Sequence, residues 1–241
     1  MLLQGKTALV TGAAVRLGRT FALALASKGV SVAVHFAHSS PEAAETLASI
    51  EALGGRGALF QADLSDAGQA ASLLDRVREA LGPVDILINN AGIFGRGGLL
   101  ETEVEVWDLH QHINLRAPFL LSRAFAAQGR PGKIVNLVDW RALRPGTDHF
   151  AYTISKAGLA ALTRSTALAL APTVQVNALA LGAILPPAGT SAPTQDRIIV
   201  PVPAKRWGSL EEAAQTLLFL LEGPDYITGE IIHVDGGRHL V

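Results

Sequence analysis

The chain has 241 residues, enough for one large α/β domain with a sizeable buried core. Its 20 basic and 21 acidic side chains leave a formal net charge of −1, so the charge does not point to nucleic acid or to an anionic membrane surface. It has no cysteine, which excludes disulfides, thiol catalysis and zinc–thiolate sites and fits a cytoplasmic setting.

Residues 7–11 read as a short buried parallel strand; Gly12 turns the chain, and helical spacing over 15–28 stops at Gly29. A strand over 30–36, a helix over 42–53 closed by Gly54 and Gly55, a strand over 57–61, a helix over 67–81 with Asp66 as N-cap and a strand over 84–89 follow. Residues 103–128 read as one long helix, interrupted or kinked near Pro118. Then come a strand over 134–138, a helix over 151–170 and a strand over 174–180. The Pro/Ala/Gly/Thr-rich residues 182–203 read as a mobile loop or lid, ahead of a helix over 210–221 and a last short strand over 230–234. No apolar run reaches the roughly 18 residues of a membrane span, and the first strand starts too early to leave room for a signal peptide. The strict alternation predicts an α/β fold: a single domain over 1–241 with a Rossmann-type, doubly wound parallel sheet of about seven strands and helices on both faces.

The first strand–helix junction, Thr11-Gly-Ala-Ala-Val-Arg-Leu-Gly18, is where a dinucleotide pyrophosphate would meet free backbone N–H groups. Gly12 permits the tight turn and Gly18 a close helix–sheet approach, but Arg16 stands where the fingerprint has its middle glycine. An NAD site places an acidic residue at the end of the second strand. Here that strand ends in His35, His38, Ser39 and Ser40, groups able to hydrogen-bond a 2′-phosphate, with Arg16 adding charge. NADP(H) is therefore expected.

Tyr152 and Lys156 are four residues apart and share a helix face. A Lys ammonium beside a phenol favours the phenolate, so the pair forms an acid/base device with a lowered Tyr152 pKa. Asp139 closes the preceding strand, where open α/β sheets present their ligands. The seven histidines lack metal-ligand spacing, no metal site is expected, and His110 and His112 read as helix-surface residues.

With Thr11-Gly12…Gly18, Asp63-Leu64, Asn89-Asn-Ala-Gly92, Asn114 and Tyr152-x-x-x-Lys156 in order, the chain resembles the short-chain dehydrogenase/reductase family over essentially its whole length. The resemblance implies that Leu17, Gly18, Asn90, Ala91, Gly92, Gly182 and Ile184 line the cofactor site, and that Asp63 bonds the adenine with Leu64 beside it. It also implies that Asn89 lines the ribose, that Asn114 holds backbone and a proton-relaying water, and that Lys156 binds the ribose hydroxyls. Tyr152 would exchange the substrate proton.

Two positions depart from the family. Leu181-Gly182 replaces Pro-Gly, and Asp139 stands where the family has Ser. A carboxylate cannot donate the hydrogen bond that polarises a ketone, but Asp139 with Tyr152 could protonate a ring nitrogen. With Arg16, the His/Ser-rich strand end, Phe94 placed to stack on a flat ring, and the ending Asp235-Gly-Gly-Arg-His-Leu240, the chain resembles the pteridine and dihydromonapterin or dihydrofolate reductases within the family. Substrate contacts are thus expected from Arg16, Phe94, Asp139 and Tyr152. The alternatives are a carbonyl reductase acting on 3-oxoacyl thioesters or other ketones, and a nucleotide-binding regulator on a retired enzyme fold. A small-molecule substrate and a homotetramer, with a dimer as runner-up, complete the expectations.

Overall fold

Residues 1–186 and 191–241 are described by a computed structural model of the chain. The apolar runs pair into one all-parallel sheet of seven strands, ordered β3-β2-β1-β4-β5-β6-β7. These are β1 (Thr7–Val10), β2 (Ser31–Phe36), β3 (Gly57–Gln61), β4 (Ile86–Asn89), β5 (Gly132–Asp139), β6 (Val174–Leu181) and β7 (Ile231–Val234). The helices are α1 (Arg16–Ala26), α2 (Ser40–Ala52), α3 (Ala67–Leu81), α4 (Val104–Gln111), α5 (Ala117–Ala126), α6 (Phe150–Leu170), α7 (Ala192–Ile199) and α8 (Leu210–Glu222).

Side chains alternate across a strand, so β1 feeds both faces. Val10 joins Phe21, Leu25 and Leu217 in the core under α1 and α8, while Leu9 joins Leu73, Leu74, Leu121 and Phe125 under α3 and α5. Both faces are covered, which is why the strands are almost uniformly apolar. Between β1 and β4 the strand order reverses, leaving a crevice at their carboxyl ends of the kind that takes ligands in open α/β sheets.

The predicted helix over 103–128 is three elements. Five residues of π-helix, His112–Arg116, separate α4 from α5. Pro118 has no N–H to offer the carbonyl four residues back, at Asn114, and the register widens just before it. The stretch over 182–203 contains α7, so it is not all loop; its residues 187–190 lie outside the described residues, and so does that part of the expected lid. Asp66 caps α3 as expected, accepting from the N–H groups of Gly68 and Gln69. Among the described residues no helix is long and apolar enough to cross a membrane.

Candidate active site

The loop after β1 is pinned before any ligand is considered. Thr11 Oγ1 accepts from the backbone N–H groups of Asn90 and Ala91 (2.9 and 3.0 Å) and donates to Ile88 O, tying the end of β1 to the end of β4. Asn90 Nδ2 donates to Thr11 O at 2.8 Å. Gly12 has φ +63°, and a Cβ on Gly18 would stand 2.1 Å from Gly12 O, so α1 can approach the turn only with glycine there. Arg16, in the position of the missing glycine, adopts φ +52°, a left-handed conformation that favours glycine. Its side chain is exposed at the mouth of the crevice.

Three cavities meet there. One of about 570 Å³ is lined by Gly12, Arg16, Leu17, Gly18, His35, His38, Asp63, Leu64, Asn90, Ala91 and Gly92. A second, about 320 Å³, runs past Leu17, Phe94, Asp139, Tyr152, Lys156, Gly182 and Ile184. The third, about 550 Å³, shares Phe94, Asp139 and Tyr152 with the second. The expected cofactor residues are thus brought together, with exceptions that have physical causes.

His35 is not free to bind a phosphate. Its Nδ1 accepts from Gly12 N–H (3.0 Å) and its Nε2 donates to Ala62 O (3.1 Å), and burial pushes its pKa down to about 4. A neutral His35 therefore braces the glycine turn. His38 is exposed at the cavity, while Ser39 stands at the N-terminal end of α2, off the cavity lining, with its hydroxyl making no cap bond. Asn89 points into the sheet core instead of at a ribose, its Nδ2 donating to Asn136 Oδ1 at 2.8 Å. The Ser65 hydroxyl, and then the Ser65 N–H that donates to Asp63 Oδ1, hold the Asp63 pKa below the usual carboxylate range, and Asp63 lines the cavity.

The π-turn delivers Asn114 to a fully buried position. Its Oδ1 accepts from Ile93 N–H (2.9 Å); its Nδ2 donates to Ile93 O (3.0 Å) and to Ser155 Oγ (3.0 Å). These bonds fasten the loop after β4 to α6. His110, expected on the helix surface, is buried: Nδ1 donates to Val106 O and Nε2 accepts from Gly95 N–H. It fixes the same loop one residue beyond Phe94.

Tyr152 and Lys156 are 8% and 5% exposed on the first turns of α6. Tyr152 donates from its hydroxyl to Asp139 Oδ2 at 3.1 Å, while Asp139 Oδ1 caps the following turn by accepting from Arg141 N–H at 2.8 Å. Asp139 is therefore both a capping carboxylate and a partner of Tyr152. Desolvation raises the Asp139 pKa. Desolvation and then the Asp139 charge raise that of Tyr152 well above its usual value. This reverses the expected lowering of Tyr152 by Lys156. The Lys156 Nζ donates to Leu137 O at 2.7 Å and lies 5.9 Å from the Tyr152 ring, and burial lowers its own pKa to about 8. The hydroxyl is held as a proton donor, with a carboxyl group that takes up protons readily beside it.

Phe94 is 56% exposed. One face stacks on His149 (centroids 4.0 Å, 21°), and it meets Tyr152 edge-on at 4.6 Å. His149, with Nδ1 donating to Gly95 O, was invisible as a site residue in the sequence because it comes from the loop before α6. The same holds for Arg96, Trp140, Arg141, Arg197, Trp207 and Arg238, which line the third cavity from separate segments. Gly182 donates to Val234 O at 3.0 Å, and a Cβ there would come within 2.6 Å of the Asp235 Cα, so that position needs glycine even without a preceding proline. Among the described residues no cluster of metal-ligating side chains occurs.

The doubly wound sheet, the glycine turn and the buried Tyr–Lys pair beside a substrate-sized cavity define a nucleotide-dependent oxidoreductase. A family model described as enoyl-(acyl carrier protein) reductase, of the short-chain dehydrogenase type, matches residues 12–239. Among curated proteins, the chain is 34% identical to a 3-oxoacyl-[acyl-carrier-protein] reductase of Synechocystis sp., covering 98% of this chain and 97% of that one. It is 33% identical to an L-rhamnose 1-dehydrogenase (NAD(P)(+)) of Sphingomonas sp., covering 99% and 98%. Among solved structures, FolM alternative dihydrofolate reductase 1 from Brucella canis, complexed with NADP, superposes with a TM-score of 0.94 at 32% identity, covering 100% of this chain and 96% of that one. The chain belongs to the short-chain dehydrogenase/reductase family.

Proposed function

We propose that the protein is an NADPH-dependent reductase of a pteridine of the dihydropterin or dihydrofolate type. The observation that carries this reading is the Tyr152–Asp139 hydrogen bond in the place where the family's Ser would serve a ketone. The NADP-bound dihydrofolate reductase neighbour supports both halves of it.

The first cavity fits a dinucleotide: backbone turns with no room for a Cβ, Asp63 at one end, Arg16 and His38 for a 2′-phosphate, and no carboxylate at the end of β2. A bound nicotinamide cofactor would supply a hydride. Lys156, aimed by Leu137 O, would hold its ribose hydroxyls, and Asn114 keeps the loop after β4 in place. Phe94 offers a stacking surface for the substrate ring, backed by His149. As a ring C=N carbon gains the hydride, its nitrogen gains the proton that Tyr152 and Asp139 share, and the proton is replaced from solvent. A desolvated carboxyl suits this step because it holds a proton nearer neutral pH than an exposed one does.

A second reading, a 3-oxoacyl-thioester reductase, is favoured by the curated relative from Synechocystis. Asp139 in the place of the family's Ser works against it, because whenever the carboxyl is ionised it would repel the developing oxyanion. NADPH oxidation with dihydrobiopterin, beside an acetoacetyl thioester, separates the two. Turnover of the pterin that falls at least about 100-fold in Tyr152→Phe is expected. Turnover of the thioester alone would transfer the assignment to the second reading. The Asp139→Ser variant is expected to gain thioester reduction as it loses pterin reduction.

A further inference from the structure

The third cavity carries more positive charge than the cofactor and the proton chemistry use. Its walls hold Arg16, Arg96, Arg141, Arg197 and Arg238, against two carboxylates, Asp139 and Asp148. Arg16 is accounted for at the cofactor mouth. Arg141 is neutralised by Asp148, which accepts from both terminal nitrogens at 2.7 and 3.3 Å. Arg96 and Arg197 are exposed and make no hydrogen bond or ion pair among the described residues. Arg238 is half-buried and lies over the Trp140 ring at 4.6 Å, with Arg141 over the same ring at 4.9 Å. Burial first, and then the charges of Arg144 and Arg141, hold the Arg238 pKa below its usual value. A cluster in that condition is relieved by an incoming anion.

The cavity is also larger than a bicyclic ring needs. At about 550 Å³ it runs from Phe94, Tyr152 and Asp139 past Trp140 and Trp207 to Arg197 and Arg238. Two tryptophans flank the path and guanidinium groups stand along it, so its polarity is one-sided.

Resting on the pteridine reading, we infer that the substrate carries an anionic tail, a carboxylate or a phosphate, and that Arg96, Arg197 and Arg238 bind it while the ring lies at Phe94 and Tyr152. The tail sets specificity: a pteridine with a neutral side chain fills the ring position and leaves Arg96 and Arg197 without an anionic partner, Arg238 keeping only its bond to Val241 O.

The test compares NADPH oxidation with dihydrofolate (carboxylates), dihydroneopterin phosphate (phosphate) and dihydrobiopterin (uncharged), in the parent, Arg96→Gln, Arg197→Gln and the double variant. The expected result is a kcat/KM at least about tenfold higher for one of the charged substrates than for dihydrobiopterin, with the charged substrate that wins identifying the anion. The difference should lie mainly in KM and shrink as KCl rises from about 0.05 to about 0.5 M. In the double variant the charged-to-neutral ratio should fall to about one to threefold. Both residues are exposed, and thermal melts of the variants should match the parent's. Dihydrobiopterin turned over as well as the charged substrates, or a ratio unchanged in the double variant, would overturn the inference and leave the pteridine reading standing. No turnover of any pteridine, with turnover of the thioester, would overturn both.

Discussion

Lys156 shows what a buried charge does in this site. Its pKa of about 8 lies below the ordinary lysine value of 10.5, because burial outweighs the attraction of Asp139. The unfolded chain holds this proton up to the ordinary value and the folded chain only to about 8. Below that the folded protein bears the cost of an enclosed ammonium, which is relieved as pH rises from about 8 towards 10.5. Lys156→Met is therefore expected to raise the melting temperature while abolishing turnover. Its stabilisation, up to about 3 kcal/mol, should be full near pH 7 and shrink towards pH 10. Melting curves at the two pH values check the sign, and a gain that grows with pH would contradict the account.

Arg16 carries a conflict of a different kind. A non-glycine residue at φ +52° costs about 1 kcal/mol, and on the proposed function the arginine's charge would serve the cofactor phosphates. Arg16→Gly is expected to leave the melting temperature unchanged or slightly higher. Its kcat/KM with NADPH should drop about tenfold or more, and that with NADH much less, as steady-state kinetics with both cofactors would show.

At the scale of elements, the π-turn between α4 and α5 is the joint that holds the site together. Asn114 satisfies both backbone groups of Ile93 and reaches Ser155 on α6, so three polar partners depend on one side chain. Asn114→Leu leaves the partly buried N–H and C=O of Ile93 without this partner, while Ser155 Oγ keeps its bond to Tyr152 O, with a cost of about 2–4 kcal/mol. Because the wall that moves is the one bearing Phe94, KM for substrate should rise along with the loss of stability. Asn114→Asp keeps the acceptor for Ile93 N–H but loses both donated bonds, and should fall between the two. Urea unfolding and KM measurements on both variants test the order.

At the scale of the whole molecule, α6 presents Ile154 and Leu168, 40% and 84% exposed, and α5 presents Phe119. The expected homotetramer remains a proposal, and these apolar residues are where copies would meet, with β7, bonded only to β6, as a further edge. Light scattering should give about four times the 25.2 kDa chain mass, and Leu168→Asp should reduce it. A monomer in the parent would refute the expectation.

Much of this was legible in one dimension. Hydrophobic period and glycine placement fixed the alternation of strands and helices, and the rules of βαβ connection gave a doubly wound parallel sheet, whose strand order the structure supplied. Tyr152 and Lys156 were legible because a helix turns a spacing of four into a shared face, and Asp139 because a strand end faces the crevice. Three things needed the tertiary structure. His35 and His110 look like ligand or surface residues in a string of letters, yet each is bonded to backbone from a segment far along the chain. The direction of the Tyr152 shift depended on burial and on a 3.1 Å contact, which oppose the charge effect that the Tyr–Lys spacing suggests. The arginines of the third cavity, Arg16, Arg96, Arg141, Arg197 and Arg238, come from five separate stretches, and apart from Arg16 none lies in a motif. The sequence determined the fold class and nominated Asp139, Tyr152 and Lys156 as candidate reacting groups, because local periodicity and short spacing encode both. Protonation states and the shape of the substrate cavity were decided by folding, because desolvation and long-range proximity have no local signature.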